Sequence, residues 1–267
     1  MNKNFRAPLL GLLLSFLAAN SFAQGEGTAV GVNPDALARL NATDRTLQVG
    51  ADVSVGELIV TGNAGLVQII FDDDTRLVVG PRSSLLIETY LMASSNTAEK
   101  LSINALGGSF RFITGNSPKP AYTINTPTAS IAVRGTEFDL VVERRNTKVM
   151  LYDGALRICN GGNDCAELAN RCEVGTASAQ QAVLFRRNDS TREPLSVEFR
   201  YARFQGGLMP QFRVRNPGSC VEDSSGANTG SDNAPVQQTT APTTSNTQTS
   251  TPTSTQTTTN PLTGGKN

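Results

Sequence analysis

The chain has 267 residues, with 23 Lys and Arg against 23 Asp and Glu, and it contains neither histidine nor tryptophan. Without histidine there is no Ser-His-Asp or Cys-His catalysis, no imidazole metal ligand and no ordinary pH switch. The balanced charge, with no basic stripe, speaks against nucleic acid or an anionic membrane as partner.

Lys3 and Arg6 precede the apolar run "APLLGLLLSFLAA", and Ser21 and Ala23 follow it. This is the order of a secretory signal peptide, and the run is short for a bilayer span. Residues 1–23 are therefore expected to be removed. The remainder would be periplasmic or secreted, with no membrane insertion after cleavage. Residues 24–46 read as a mostly extended lead-in. Within it, "NPDALARL" places Pro34 at a favoured first helical position and predicts one helical turn.

From residue 47 to 158 strand-like runs alternate with turn residues. "ELIVT", "LVQIIF", "TRLVVG", "SLLIETYLM", "LSINAL", "SFRFIT", "AYTINT", "SIAVRG" and "EFDLVVE" are followed by "KVMLYDGALRI". In the last of these, Asp153-Gly154 is a two-residue hairpin signal. The runs predict about ten short strands, and helical spacing is not sustained. An all-β fold follows, either a sandwich or an irregular β-solenoid. In "SFRFIT", Phe110 and Phe112 share one face, expected to be core, and Arg111 takes the other.

Residues 159–221 form an extension that carries Cys159, Cys165, Cys172 and Cys220. An even count in an exported chain reads as disulfides. The favoured pairing is Cys159–Cys165, stapling "CNGGNDC", and Cys172–Cys220. The gaps do not match zinc-site spacing. One more strand pair is expected near Glu173 and Ala182–Phe185, and "PLSVEFRYARFQGG" reads as either strand or short helix. From residue 222 to 267 the composition is Thr, Ser, Asn, Gln and Pro with few apolar side chains, which predicts a disordered tail.

The stretches "QVGADVSVGELIVTGNAGLVQIIFDDDTRLVVGPRSSLLIETYLM", "GGSFRFITG", "YTINTPTASIAVRGTEFDLVV" and "VMLYDGALRI" resemble the FecR-like domain in content and order. The likeness covers about residues 46–158. "TPTASIAVRGTEF" is its most specific part. In the "DDDT" turn Asp74 takes a position usually held by glycine, and Asp tolerates the left-handed conformation. The resemblance implies an all-β, solenoid-like fold and a regulatory role in the envelope of a Gram-negative bacterium. It also implies a stand-alone exported member, with a signal peptide in place of the family's sigma-factor-regulator and transmembrane parts.

Within the motif, Thr126, Pro127, Thr128, Gly135 and Phe138 are expected to shape the backbone and core. Arg134 is expected chiefly as scaffold, its guanidinium spread over carbonyls or a carboxylate. Arg134, Thr136 and Lys119 of the "GNSPKP" loop are the candidate binding residues. Asp72–Asp74 reads as a solvated turn rather than a calcium loop, since its spacing is not that of an EF-hand. Asp72 with Glu88, or Glu137 with Asp139, can be proposed as a carboxylate pair for glycoside hydrolysis, but sequence does not set their separation. No catalytic residue, metal or cofactor is expected. The expected function is a non-enzymatic exported binding or regulatory module that contacts an envelope protein, such as an outer-membrane receptor or a regulator, in signalling. The alternative is a structural or surface protein that binds polysaccharide and is displayed by the Thr-rich tail.

Overall fold

The computed structural model describes residues 26–118 and 121–221. The segment expected to be a signal peptide, Lys119 and the segment expected to be a disordered tail lie outside the described residues.

The lead-in is sheet. β1 (Gly27–Val32), β2 (Ala36–Leu40) and β3 (Thr43–Thr46) precede β4 (Ala51–Val53) and β5 (Leu58–Thr61). The helical turn expected at "NPDALARL" does not form. Ala36 and Ala38 are buried at a period of two, and β2 pairs with β5 through Leu37 and Val60. Core burial on a sheet overrides the local helical signal here. β6 (Val67–Phe71) and β7 (Arg76–Val79) form a hairpin over the "DDDT" turn. Asp74 has φ +64° at the expected left-handed position.

Four long strands follow in this region: β8 (Ser84–Ser94), β9 (Thr97–Ile113), β11 (Ser130–Val142) and β12 (Asn146–Cys159), with the short β10 (Tyr122–Asn125) among them. β13 (Cys165–Leu168), β14 (Val174–Ser178) and β15 (Ala182–Phe185) complete the sheet. The strand pair expected near Glu173 and Ala182 is β14–β15.

β9, β11 and β12 each serve two halves of this sheet. One half runs β3–β2–β5–β8–β9–β10–β11–β12–β13, the other β4–β1–β6–β7–β9–β11–β12–β14–β15. Only β9–β10 is parallel. The runs "LSINAL" and "SFRFIT" are thus one strand, as are "SIAVRG" and "EFDLVVE". "KVMLYDGALRI" is likewise continuous, and the hairpin expected at Asp153-Gly154 is absent. Glycine marks a bend within each strand rather than a chain reversal. Gly108, Gly135 and Gly154 have φ of +109°, +65° and +80°.

At each bend the buried face changes phase by one residue. Leu101, Ile103 and Ala105 give way to Phe110 and Phe112. Ile131 and Val133 give way to Phe138 and Leu140, and Val149 and Leu151 to Leu156 and Ile158. Because strand side chains alternate, the extra residue keeps apolar groups on the core side of both halves. The halves fold onto one core. Phe112 meets Tyr122 across it with ring centroids 5.9 Å apart, and Phe71 meets Tyr90 at 5.5 Å. Strands that change sheet at a bend are a known way to build such a corner.

Residues 186–221 make a strap over the outer face of the second half. It contains two four-residue helices, α1 (Glu193–Ser196) and α2 (Arg200–Arg203), and two 3-10 turns at Pro210–Phe212 and Pro217–Cys220. Of the two readings of "PLSVEFRYARFQGG", the short helix is correct. Phe199, Ala202, Val214 and Cys220 pack on Ile113, Met150, Tyr152 and Val174. Disulfides join Cys159 to Cys165 and Cys172 to Cys220. The second closes a 48-residue separation, for which chain entropy alone gives about 4 kcal/mol of stabilisation.

A Cβ on Gly154 would lie 1.8 Å from the carbonyl oxygen of Gly135. Gly154→Ala is expected to cost roughly 2–6 kcal/mol in urea unfolding, the sum of a strained left-handed backbone and overpacking. Gly161→Ala, whose Cβ meets nothing within 4 Å, should leave the midpoint unchanged. Equal midpoints for the two variants would contradict the bend.

Candidate functional site

Among the described residues, three polar clusters bear on the candidate residues, and two of them are structural. The first joins the "DDD" turn to the "GNSPKP" loop. Asp73 is fully buried, contrary to the solvated turn expected for this run. Its Oδ2 accepts from Tyr122 at 2.8 Å, Thr75 at 2.9 Å and Ser117 at 2.5 Å, and Thr75 N donates to Oδ1 at 3.1 Å. Its carbonyl accepts from Asn116 N at 2.7 Å. Burial first, then the nearby Asp73 charge, pushes the Tyr90 phenol up, and burial does the same at Tyr122. Both phenols therefore remain donors at neutral pH. Gly115 is required because a Cβ there would lie 2.0 Å from Asp73 O. The loop start is thus clamped. Asp72 and Asp74 are the exposed members of the run.

The second cluster lies under the strap. Arg111 is 0% exposed and Asp139 2%. The guanidinium donates from Nε and Nη2 to the two carboxylate oxygens at 2.6 and 2.9 Å. Tyr152 donates to Asp139 at 2.7 Å, and Nη1 donates to Gln205 of the strap. The rings of Tyr152 and Tyr201 lie 5.2 and 5.5 Å from the guanidinium carbon, a favourable cation–π geometry. Gln205 in turn brackets Val214, accepting from its N at 2.9 Å and donating to its O at 3.0 Å. Burial drives the Tyr152 phenol well above its ordinary range, reinforced by Asp139. The role expected for Arg134, a buried paired scaffold arginine, belongs to Arg111. Asp139, weighed as half of a carboxylate pair with Glu137, is committed to Arg111.

The third cluster is exposed. Arg134 is not buried and makes no hydrogen bond or ion pair with any described residue. It stands on the outer face of the first half, opposite Ala155, and Arg157 stands opposite Ala132 on the neighbouring strand. With Glu167 and Ala169 these side chains line a trough of about 530 Å³. Arg157 Nε is 3.7 Å from Glu167, and both side chains are more than half exposed. That is beyond hydrogen-bond reach and worth little in energy.

The rest of the motif is structural. Thr126 Oγ1 accepts from Ala129 N at 2.9 Å and from Thr128 N at 3.3 Å, closing the turn around Pro127. Thr126 and Thr128 both share 2.7 Å hydroxyl contacts with the buried Thr147. Phe138 is fully buried against Phe112, and Gly135 sits at the bend. Thr136 is 1% exposed, and its backbone N–H donates to Thr114 Oγ1 at 2.8 Å. Of the two candidate binding residues that are described, Arg134 faces a cavity and Thr136 does not. Arg157 and Glu167, which complete the trough, were missed. Their alternation with buried Leu156, Ile158, Ala166 and Leu168 is the signal that places them on an outer face.

Against known proteins, residues 57–157 match the family model described as FecR protein. Two crystal structures of "a putative anti-sigma factor" from Parabacteroides distasonis, at 2.50 and 1.65 Å resolution, have TM-scores of 0.40 and 0.39 and 13% identity to this chain. The matches cover 52% and 53% of this chain and 62% and 64% of those structures, under two thirds of their length. A comparison with curated proteins finds no match.

Removing one member of a buried ion pair leaves an uncompensated charge, which costs about 3–5 kcal/mol. Arg111→Met should lose that much in urea unfolding, and Arg111→Met with Asp139→Leu should recover most of it. A loss below about 1 kcal/mol, the scale of an exposed pair, would show that the pair does not hold the strap face. Glu137 supplies a pH test. Burial, then the charge of Asp153, holds its carboxyl above the ordinary 4.5. The folded state then binds this proton more tightly than the unfolded state. Its contribution is fully present below 4.5 and is lost as pH rises through the higher folded value. Glu137→Gln should therefore raise the melting temperature at pH 7 and give no gain near pH 3.5, below the ordinary carboxylate range. An equal gain at both pH values would contradict this.

Proposed function

We propose that this chain, whose residues 57–157 match the FecR family, is a non-enzymatic binding and regulatory module of the cell envelope. That match carries the reading, because it spans the bent strands and one wall of the trough. The regulatory role is that of the matched family, and the envelope protein as partner is the finer step taken here. Two features support a binding rather than a catalytic role. The chain has no histidine, and the buried carboxylates of the described residues, Glu57, Asp73, Asp139 and Glu173, each accept from structural donors. Two disulfides suit a periplasmic or secreted location, where such bonds persist. Among the described residues no helix is long and apolar enough to cross a membrane.

The outer face of the first half presents the contact surface. Its row Thr89–Ser102–Thr123–Ala132–Arg157–Glu167 crosses five pairings without an aromatic ring. A sugar-binding face would be expected to offer a ring for stacking, so the polysaccharide alternative draws no support from this surface.

The test is crosslinking in intact cells with a photoreactive residue at Ala169, beside Arg134 and Arg157, followed by mass spectrometry. The expected result is one recurrent envelope protein, an outer-membrane receptor or an inner-membrane regulator, absent when the probe is moved to Val49. Recovery of the chain in a polysaccharide fraction with no protein attached would overturn this reading.

A further inference from the structure

We infer that the trough between Arg134 and Arg157 receives an acidic, extended segment of a protein partner, whose carboxylates pair with both guanidiniums. This deepens the proposed function and rests on its reading of the partner as a protein.

The register sets the geometry. Arg134 faces Ala155, and Arg157 faces Ala132, so the arginines are diagonal neighbours on adjacent antiparallel strands. Diagonal neighbours stand about 7–8 Å apart. The two alanines between them reduce the floor to methyl groups, which is why a cavity of about 530 Å³ opens on a sheet face. Beneath the floor Val133, Leu156 and Leu168 are buried core, so the arginines project from a rigid base.

Their charge is unspent. Each guanidinium offers five N–H donors. Arg134 uses none within the described residues, and Arg157 has only Glu167 at 3.7 Å. Several arginines elsewhere are spent on structure. Arg39 and Arg45 are bonded to Asp44 and Glu57, and Arg111 to Asp139. Arg171 and Arg192 donate to backbone carbonyls. A solvated arginine on a sheet face is ordinary when it stands alone. Here two of them flank a cavity whose floor has been lowered by alanine.

Position next to a rigid bend adds direction. Gly135 follows Arg134 directly, and Gly154 precedes Ala155. A Cβ on Gly154 would meet Gly135 O at 1.8 Å, so the two strands approach closely at this bend. This close approach lies at the end of the trough nearest Arg134. No aromatic side chain lines it, so neither a sugar ring nor a nucleobase finds a stacking surface. What the trough does offer is charge-assisted, bidentate pairing, the mode in which arginine recognises carboxylates. An extended segment presents alternate side chains to one face, which suits two cations on one sheet surface.

The test uses the purified full chain and fluorescence anisotropy with a fluorescein-labelled poly-glutamate peptide, its poly-glutamine counterpart and polygalacturonate. Poly-glutamate is expected to bind, with affinity falling steeply as salt rises from about 50 to about 300 mM, where screening shortens. Arg134→Glu with Arg157→Glu should weaken it by at least about tenfold, the equivalent of one charged hydrogen bond. Glu167→Gln should hold or strengthen it. Both arginines are exposed, so these variants should melt as the parent does. Equal binding of poly-glutamine, or binding untouched by the double reversal, would overturn the inference. Tighter, arginine-dependent binding of polygalacturonate would overturn it in favour of an anionic glycan. The photo-crosslinking separates the two levels. Capture of the same envelope protein by the doubly reversed chain would sink the trough and leave the regulatory reading standing. Peptide binding without any captured envelope protein would sink the regulatory reading itself.

Discussion

Three strands must turn the same corner. β9, β11 and β12 each run through both halves of the sheet, and each has to bend while keeping its apolar side chains toward one core. A strand that simply continued would carry its apolar set to the solvent side. The chain solves this with one extra residue and one left-handed glycine per strand. Everything else is placed by that corner. It lets Phe112 reach Tyr122 and Phe71 reach Tyr90 across the core. It also creates two outer faces with different fates, one open and one covered.

The covered face explains the extension. A transverse row of Gln68, Val78, Arg111, Asp139, Met150, Val174 and Phe185 runs across six strand pairings. Left bare, it would expose large apolar groups and an ion pair to water. The strap covers it with Phe199, Tyr201, Leu208, Phe212 and Val214, each buried. Burying such a side chain is worth about 1.5–3 kcal/mol, and Cys172–Cys220 limits how far the strap can stray when unfolded. Arg192 adds to this by donating to the carbonyls of both Cys172 and Cys220. Lys148 of β12 pairs with Glu198 of the strap. The short helices of the strap have little intrinsic stability, so packing and crosslinking hold them.

The open face explains the site. Alternation puts Arg134 and Arg157 outward wherever Val133 and Leu156 go inward, and cross-strand register makes them neighbours. The same alternation on the other half puts Arg111 outward too, yet the strap makes that outside an interior. Two arginines with the same local sequence environment, each flanked by apolar residues in a strand, thus end with opposite roles. One closes a core and the other faces solvent.

By itself, the sequence determined the β class and the core phenylalanines Phe110 and Phe112, allowed a left-handed turn at Asp74, and favoured among three possible cysteine pairings the one observed. These follow from period-two alternation, local turn chemistry and, for Cys159–Cys165, loop proximity, all of which act over a few residues. It also singled out the Thr126–Phe138 motif and Arg134. Only the tertiary structure decided that Gly108, Gly135 and Gly154 bend strands rather than end them, since a left-handed glycine serves a turn or a bend equally well. It alone turned residues 36–40 into a strand, because β5 was there to pair with. It alone distinguished Arg111 from Arg134, and buried Asp73 while leaving Asp72 and Asp74 exposed. Burial of a charged side chain depends on what packs over it, and here that cover comes from residues distant in the chain.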